Sequence, residues 1–209
     1  AGGIEPLVAL VRGGTEAQKE SAVSALGTLA MHTDNKVAIA QAGGIDPIVA
    51  LARNGTEAQK TSAVIALQNL AVDYDNMAAI AQAGGIPPIV ALAHSGTEAQ
   101  KRYASAALAN LAVSADNRVA IARAGGIDPL VALASGGTEA QKVHAAAALQ
   151  MLTEDTADNK VAIARAGGTK ALVRLAQDGT EAQRRWAVDA LQNIGGGGTP
   201  SFVDLTRSP

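Results

Sequence analysis

Between Asp34 and Leu70 the apolar positions fall in three groups, each at helical spacing and each closed by a breaker. Val37, Ile39 and Ala40 give the apolar side of a short helix that Asp34 is placed to cap, its carboxylate accepting from the free amides of the first turn. Gly43-Gly44 stops that helix, because glycine takes the left-handed conformation without a steric penalty. Asp46-Pro47 starts a second helix with Pro47 at the first helical position, where its missing amide is harmless, and Ile48, Val49, Leu51 and Ala52 form its buried stripe. After Gly55, Thr56-Glu57-Ala58-Gln59 reads as a capping box opening a longer third helix, with Ala63, Ala66, Leu67 and Leu70 on its core face.

The same pattern runs the length of the chain. Ala-Gly-Gly recurs at Ala1, Ala42, Ala83, Ala124 and Ala166, and Gly-Thr-Glu-Ala-Gln at Gly14, Gly55, Gly96, Gly137 and Gly179, at intervals of 41, 41, 41 and 42 residues. A tandem array of three-helix units at this period predicts an all-α solenoid in which each unit packs only on its neighbours. The chain opens at Ala1-Gly2-Gly3 without the Asp-Asn-Lys-Val-Ala-Ile segment that precedes later copies, so the first unit is expected to lack its first helix and the chain reads as a piece of a longer array.

The run from Asn35 to Leu51, with its glycine turn and helix-opening proline, together with Ala-Leu-Gln-Asn-Leu-Ala at 66–71, resembles an armadillo repeat of the importin-α and β-catenin kind. The resemblance spans nearly everything from Ala1 to Ile194 and implies a right-handed α-solenoid over residues 1–195. Residues 196–209 then form a glycine linker and an extended C-terminal tail.

Function is to be sought where the copies differ. Aligned on their threonines, the third helices keep Ala22, Ala63, Ala104, Ala145 and Ala187, and Leu26, Leu67, Leu108, Leu149 and Leu191, as packing requires. Three of the columns that vary are Ser21, Ser62, Tyr103, His144 and Trp186; Ser24, Ile65, Ala106, Ala147 and Asp189; and Thr28, Asn69, Asn110, Met151 and Asn193. Their offsets of 0, +3 and +7 make one stripe on one helical face. Even exposed residues such as Glu16, Glu57, Glu98, Glu139 and Glu181 are unchanged, so divergence is concentrated on that stripe in an array of recent duplicates or consensus-like design.

In the armadillo family the third helices line a concave groove, and the resemblance places the stripe on its floor. The family's asparagine holds the main chain of an extended peptide, a role that carries over to Asn69, Asn110 and Asn193, whereas Thr28 and Met151 interrupt the ladder. The tryptophans with which importin-α-type receptors build lysine slots are replaced by Ser24, Ile65, Ala106, Ala147 and Asp189. An extended ligand is expected, since a strand advances about 3.3 Å per residue against helices about 8–10 Å apart, or about two peptide residues per repeat once curvature shortens the spacing. Ser62, Ile65, His144 and Met151 join the asparagines along the wall, Tyr103 and Trp186 are placed to supply apolar walls or stack on a cation, and Arg102 and Arg185 to pair with an acidic group. The other reading of the asparagines is that they bond only to neighbouring main chain.

Composition narrows the alternatives. Apolar residues make up 48% but aromatics only 2%, which predicts a core of Ala, Leu, Ile and Val with closely approaching helices. A net charge of −2 offers no basic footprint for nucleic acid, and no run of about 18 apolar residues marks a membrane span. A soluble, intracellular protein is expected, with the cytoplasm and the nucleus equally open. With no cysteine, and with His32, His94 and His144 at unrelated positions, no cofactor, metal site or enzyme activity is expected. Gly195 to Gly198 follow a helix rather than a strand, and Glu154-Asp155, beside the one-residue insertion, read as a solvated loop.

The expected function is thus protein-protein interaction, with an extended peptide or disordered protein segment as partner. The alternative is a structural scaffold that self-associates through its truncated end, or whose own tail residues Phe202, Val203 and Leu205 dock in a groove in cis or in trans.

Overall fold

The computed structural model describes residues 2–154 and 157–195, and among them every regular element is an α-helix. The first unit has two helices, α1 (Ile4–Gly13) and α2 (Glu16–Leu29). Four complete units follow: α3 (Thr33–Gln41), α4 (Ile45–Asn54) and α5 (Glu57–Leu70); α6 (Tyr74–Gln82), α7 (Ile86–Ser95) and α8 (Glu98–Leu111); α9 (Ala115–Arg123), α10 (Ile127–Gly136) and α11 (Glu139–Leu152); α12 (Ala157–Arg165), α13 (Gly168–Asp178) and α14 (Glu181–Ile194).

The glycine pair makes the sharp corner of each unit. Gly84 has φ +70° and Gly125 φ +76°, the left-handed region, and the helices on either side of these corners bend by 87° and 86°. The second glycine is demanded by space: at Gly85 a Cβ would lie 2.7 Å from Ile80 Cγ2 and 2.9 Å from the Ile80 carbonyl oxygen.

Two sequence expectations shift by two residues. The α3 N-cap is His32, so Asp34 sits inside the first turn and does not cap. Pro47 is the third residue of α4, which starts at Ile45 directly after Gly44. It still falls among the first amides, which have no carbonyl one turn back to lose. The capping box holds in all five units, each threonine accepting from the glutamine main chain and each glutamine side chain accepting from the threonine amide.

One continuous core runs through the stack, with Leu26, Leu67, Leu108 and Leu149 fully buried at matching positions. Consecutive third helices approach far more closely along their length than consecutive second helices do. The stack is therefore packed most closely along its third helices. Of the large apolar side chains on α1 and α2, Leu10 is exposed and Leu7 and Leu29 are half-buried.

The capping glutamines also lock the units together. Gln59 Nε2 donates to the Glu16 carbonyl and carboxylate at 3.0 and 2.8 Å, Gln100 to those of Glu57 at 3.2 and 3.0 Å, and Gln183 to those of Glu139 at 3.1 and 2.7 Å. Lys19, Lys60 and Lys142 close the same carboxylates from within the helix. The constancy of these glutamates thus has a structural reason, and weighs less as a sign of recent duplication than the sequence implied. Lys19 and then Gln59 hold the Glu16 carboxyl below its ordinary 4.5; Gln100 and then Lys60 do so for Glu57, and Gln183 and then Lys142 for Glu139. A lowered folded-state value gives stability that is whole above about pH 4.5 and is lost as the pH falls through the folded value. The urea midpoint should accordingly drop between pH 5 and pH 3, and less steeply when all three glutamates are changed to glutamine; equal slopes in the two proteins would discount the ladder.

Candidate functional site

The variable stripe runs along the third helices. Ser62, Tyr103, His144 and Trp186 are all half-buried on α5, α8, α11 and α14, and Tyr103 and Trp186 pack against the core. Ile65, Met151 and the asparagines are likewise half-buried. Ala106 is a correction: at 5% exposure its methyl is consumed by packing and offers a ligand almost no surface.

The asparagines are tied to the neighbouring unit. Asn69 Nδ2 donates to the Gly27 carbonyl at 2.9 Å, Asn110 Nδ2 to the Gln68 carbonyl at 3.0 Å, and Asn193 Nδ2 to the Thr153 hydroxyl at 3.0 Å. The bond to neighbouring main chain that the sequence offered as an alternative is therefore made at Asn69 and Asn110. It uses one N–H of the amide. The Oδ1 of each asparagine accepts nothing among the described residues, which leaves an oriented acceptor on the wall. In the first unit Thr28 turns back to the Ser24 carbonyl at 3.2 Å, and Met151 has no amide, so the ladder is broken at both places.

The aromatic positions come with their own cation. The Arg102 guanidinium carbon is 5.3 Å from the Tyr103 ring centroid, and that of Arg185 is 5.2 Å from the Trp186 ring. The expectation that the rings stack on a cation from a ligand is thus met from inside the protein, and the two arginines are held on the wall by the rings beside them. His144 is held below its ordinary 6.5, first by burial and second by the charge of Arg102. It is neutral at pH 7.

Several features escaped the sequence. Arg118 on α9 is buried, donates to the Ala112 and Val113 carbonyls at 3.1 and 3.2 Å, and lies 3.5 Å from the Glu154 carboxylate. Glu154 is therefore a partner of a buried cation and not simply a solvated loop residue; Asp155 lies outside the described residues. Concavities recur between the second helix of one unit and the capping segment of the next, one of about 420 Å³ lined by Arg53, Glu57, Lys60, Pro88 and Gln100 among others. They are built from the repeated ladder, and no stripe residue lines the cavities described. His32 precedes α3, while His94 and His144 stand on α7 and α11, and among the described residues no group of three or more His, Asp or Glu is placed to hold a metal ion. No single described helix is long and apolar enough to cross a membrane. Phe202, Val203 and Leu205, with the whole segment 196–209, lie outside the described residues.

Residues 73–113, the complete unit α6 to α8, match the family model described as Armadillo/beta-catenin-like repeat. No curated protein matches the chain. Among solved structures, an engineered protein of the Northeast Structural Genomics Consortium is similar at 29% identity and TM-score 0.86, over 93% of this chain and 80% of its own. A computationally designed armadillo repeat protein for modular peptide recognition is similar at 26% identity and TM-score 0.87, over 93% and 83%. A designed armadillo repeat protein in complex with the peptide (KR)4 is similar at 26% identity and TM-score 0.84, over 92% and 82%. With one unit matched to the armadillo repeat by its sequence and the stack superposing on designed armadillo repeat proteins, this chain has the armadillo repeat fold.

Proposed function

We propose that the chain is a peptide-recognition module that holds an extended segment of a partner protein along its third helices. The observation that carries this reading is the coincidence of two independent patterns. Three of the columns where the copies differ form one stripe, and from the second unit on that stripe is mostly half-buried along the closely packed third helices, with asparagine acceptors left open. Packing alone gives no reason for Ser62, Tyr103, His144 and Trp186 to differ while the core columns do not. The similar designed protein that holds (KR)4 supports an extended ligand on this fold.

In this arrangement the peptide main chain donates to Oδ1 of Asn69, Asn110 and Asn193, and alternate side chains meet Tyr103, His144, Met151 and Trp186. Ser62 and Ile65 extend the wall. No catalytic role is assigned to any of these residues; recognition is the whole function proposed. Capture from a peptide array tests it. Enriched sequences are expected, with Asn110→Ala weakening capture by about fivefold to tenfold for a lost hydrogen bond and Trp186→Ala by tenfold or more, as at an aromatic anchor. An array with no enriched sequence, or capture indifferent to both variants, would remove the proposal.

A further inference from the structure

Resting on that reading, the inference concerns the charge of the ligand. We infer that the wall selects an acidic peptide, one carrying two Asp or Glu side chains about four or six residues apart, an even spacing that keeps both on one face of the strand, the first held by Arg102 and the second by Arg185.

The two arginines differ from the four whose guanidinium is spent on a main-chain carbonyl, and from Arg123, Arg165 and Arg174, which are equally unbonded among the described residues but lie over no ring. Arg12 donates to the Gly43 carbonyl, Arg53 to that of Gly84, Arg118 to those of Ala112 and Val113, and Arg184 to that of Gly179. Arg102 and Arg185 are exposed, and among the described residues they form no hydrogen bond from the guanidinium and no ion pair. Each is nevertheless held, because its guanidinium lies over the adjacent ring. Stacking occupies the face of a guanidinium and leaves its in-plane N–H groups open. What remains is an oriented two-pronged donor edge, the geometry that a carboxylate accepts bidentately.

The placement is also selective. Five residues past each capping threonine the column reads Glu20, Thr61, Arg102, Val143 and Arg185, so cations occur only in the third and fifth units, and only beside Tyr103 and Trp186. Two units at about 8–10 Å each separate the forks by about 16–20 Å, which a strand covers in five or six residues and fewer on a concave wall. Between them lie His144, uncharged at neutral pH, with Ala147 and Met151, which suit apolar side chains. Asp189 is the only carboxylate in the three variable columns, and it makes no ion pair with Arg185 four residues earlier. A lysine- or arginine-rich ligand would therefore meet two fixed like charges.

Three fluorescein-labelled dodecapeptides of one Ser/Leu sequence, with Glu, Gln or Lys at positions 3 and 7, provide the test, read by anisotropy and by quenching of Trp186, the chain's single tryptophan. The Glu peptide should bind about tenfold or more tighter than the Gln peptide, with affinity falling as salt rises. Arg102→Gln and Arg185→Gln should each cost about tenfold for the Glu peptide and little for the Gln peptide, and Arg102→Lys should recover only part of the loss because it keeps charge without the fork. Thermal melts of these surface variants should match the parent. If the Gln or Lys peptide binds as tightly as the Glu peptide, the acidic preference is overturned while the groove stands, provided that Asn110→Ala still weakens binding. If none of the three binds and Trp186 is unquenched, both the preference and the groove reading fall.

Discussion

Changing Leu108 to alanine should lower the unfolding free energy by about 2.5–5 kcal/mol, the range for truncating a fully buried leucine whose surroundings relax only in part. Leu108 is 0% exposed on α8, the third helix of the central unit, between α5 and α11 on either side. Partial relaxation is expected here because α8 is pinned from both neighbours: Gln100 reaches back to Glu57, and Gln141 of the next unit reaches the Glu98 carbonyl at 2.9 Å. In a linear array the damage also weakens both flanking interfaces, so the transition should broaden as well as shift. Leu10→Ala, at a site 37% exposed, is the control and should cost well under half as much. Urea denaturation followed by circular dichroism measures both. Equal losses at the two sites would mean that the stack does not bury its third-helix leucines as described.

The second large effect belongs to the corner. Gly85→Ala should cost about 1–3 kcal/mol, as overpacking of a site that cannot yield typically does. The added carbon would sit 2.9 Å from the Ile80 main-chain oxygen and 3.1 Å from Val49 Cγ2, and the oxygen belongs to the last turn of α6. Gly125→Ala separates this crowding from backbone strain. It has φ +76° and no atom within 4 Å of its would-be Cβ, so only the left-handed conformation is charged, at about 1–2 kcal/mol. Gly85→Ala should thus be the more damaging of the two. The reverse order, from the same urea titrations, would show that dihedral strain and not space makes the second glycine necessary.

Much of this architecture could be read before any coordinates. Helix number, corner and capping box are local effects of a few residues, and the period repeats each signal five times. The two misplacements, Asp34 for His32 and Pro47 by two residues, are also local: several residues in a first turn satisfy the same requirement, and sequence does not choose between them. What was hidden is contact between units. Gln59 looks like a capping residue and is one, yet its Nε2 reaches Glu16, 43 positions away. The asparagine column was legible through the family, but its tie to Gly27 and Gln68 depends on how closely α2, α5 and α8 approach. Arg102 and Arg185 were chosen for their charge, whereas their distinguishing feature is the ring each lies over. Arg118 and Glu154 pair across units, and their separation in sequence gave no reason to connect them.

The most direct measurement is chemical-shift mapping of the labelled protein with an array-selected or Glu-bearing peptide. The account predicts that the largest amide and side-chain shifts fall on Asn69, Tyr103, Asn110, His144 and Trp186, in a continuous track across the third helices. Shifts confined to the cavities between the second helices and the capping segments, around Arg53, Pro88 and Gln100, would contradict it and leave the variable stripe without a ligand.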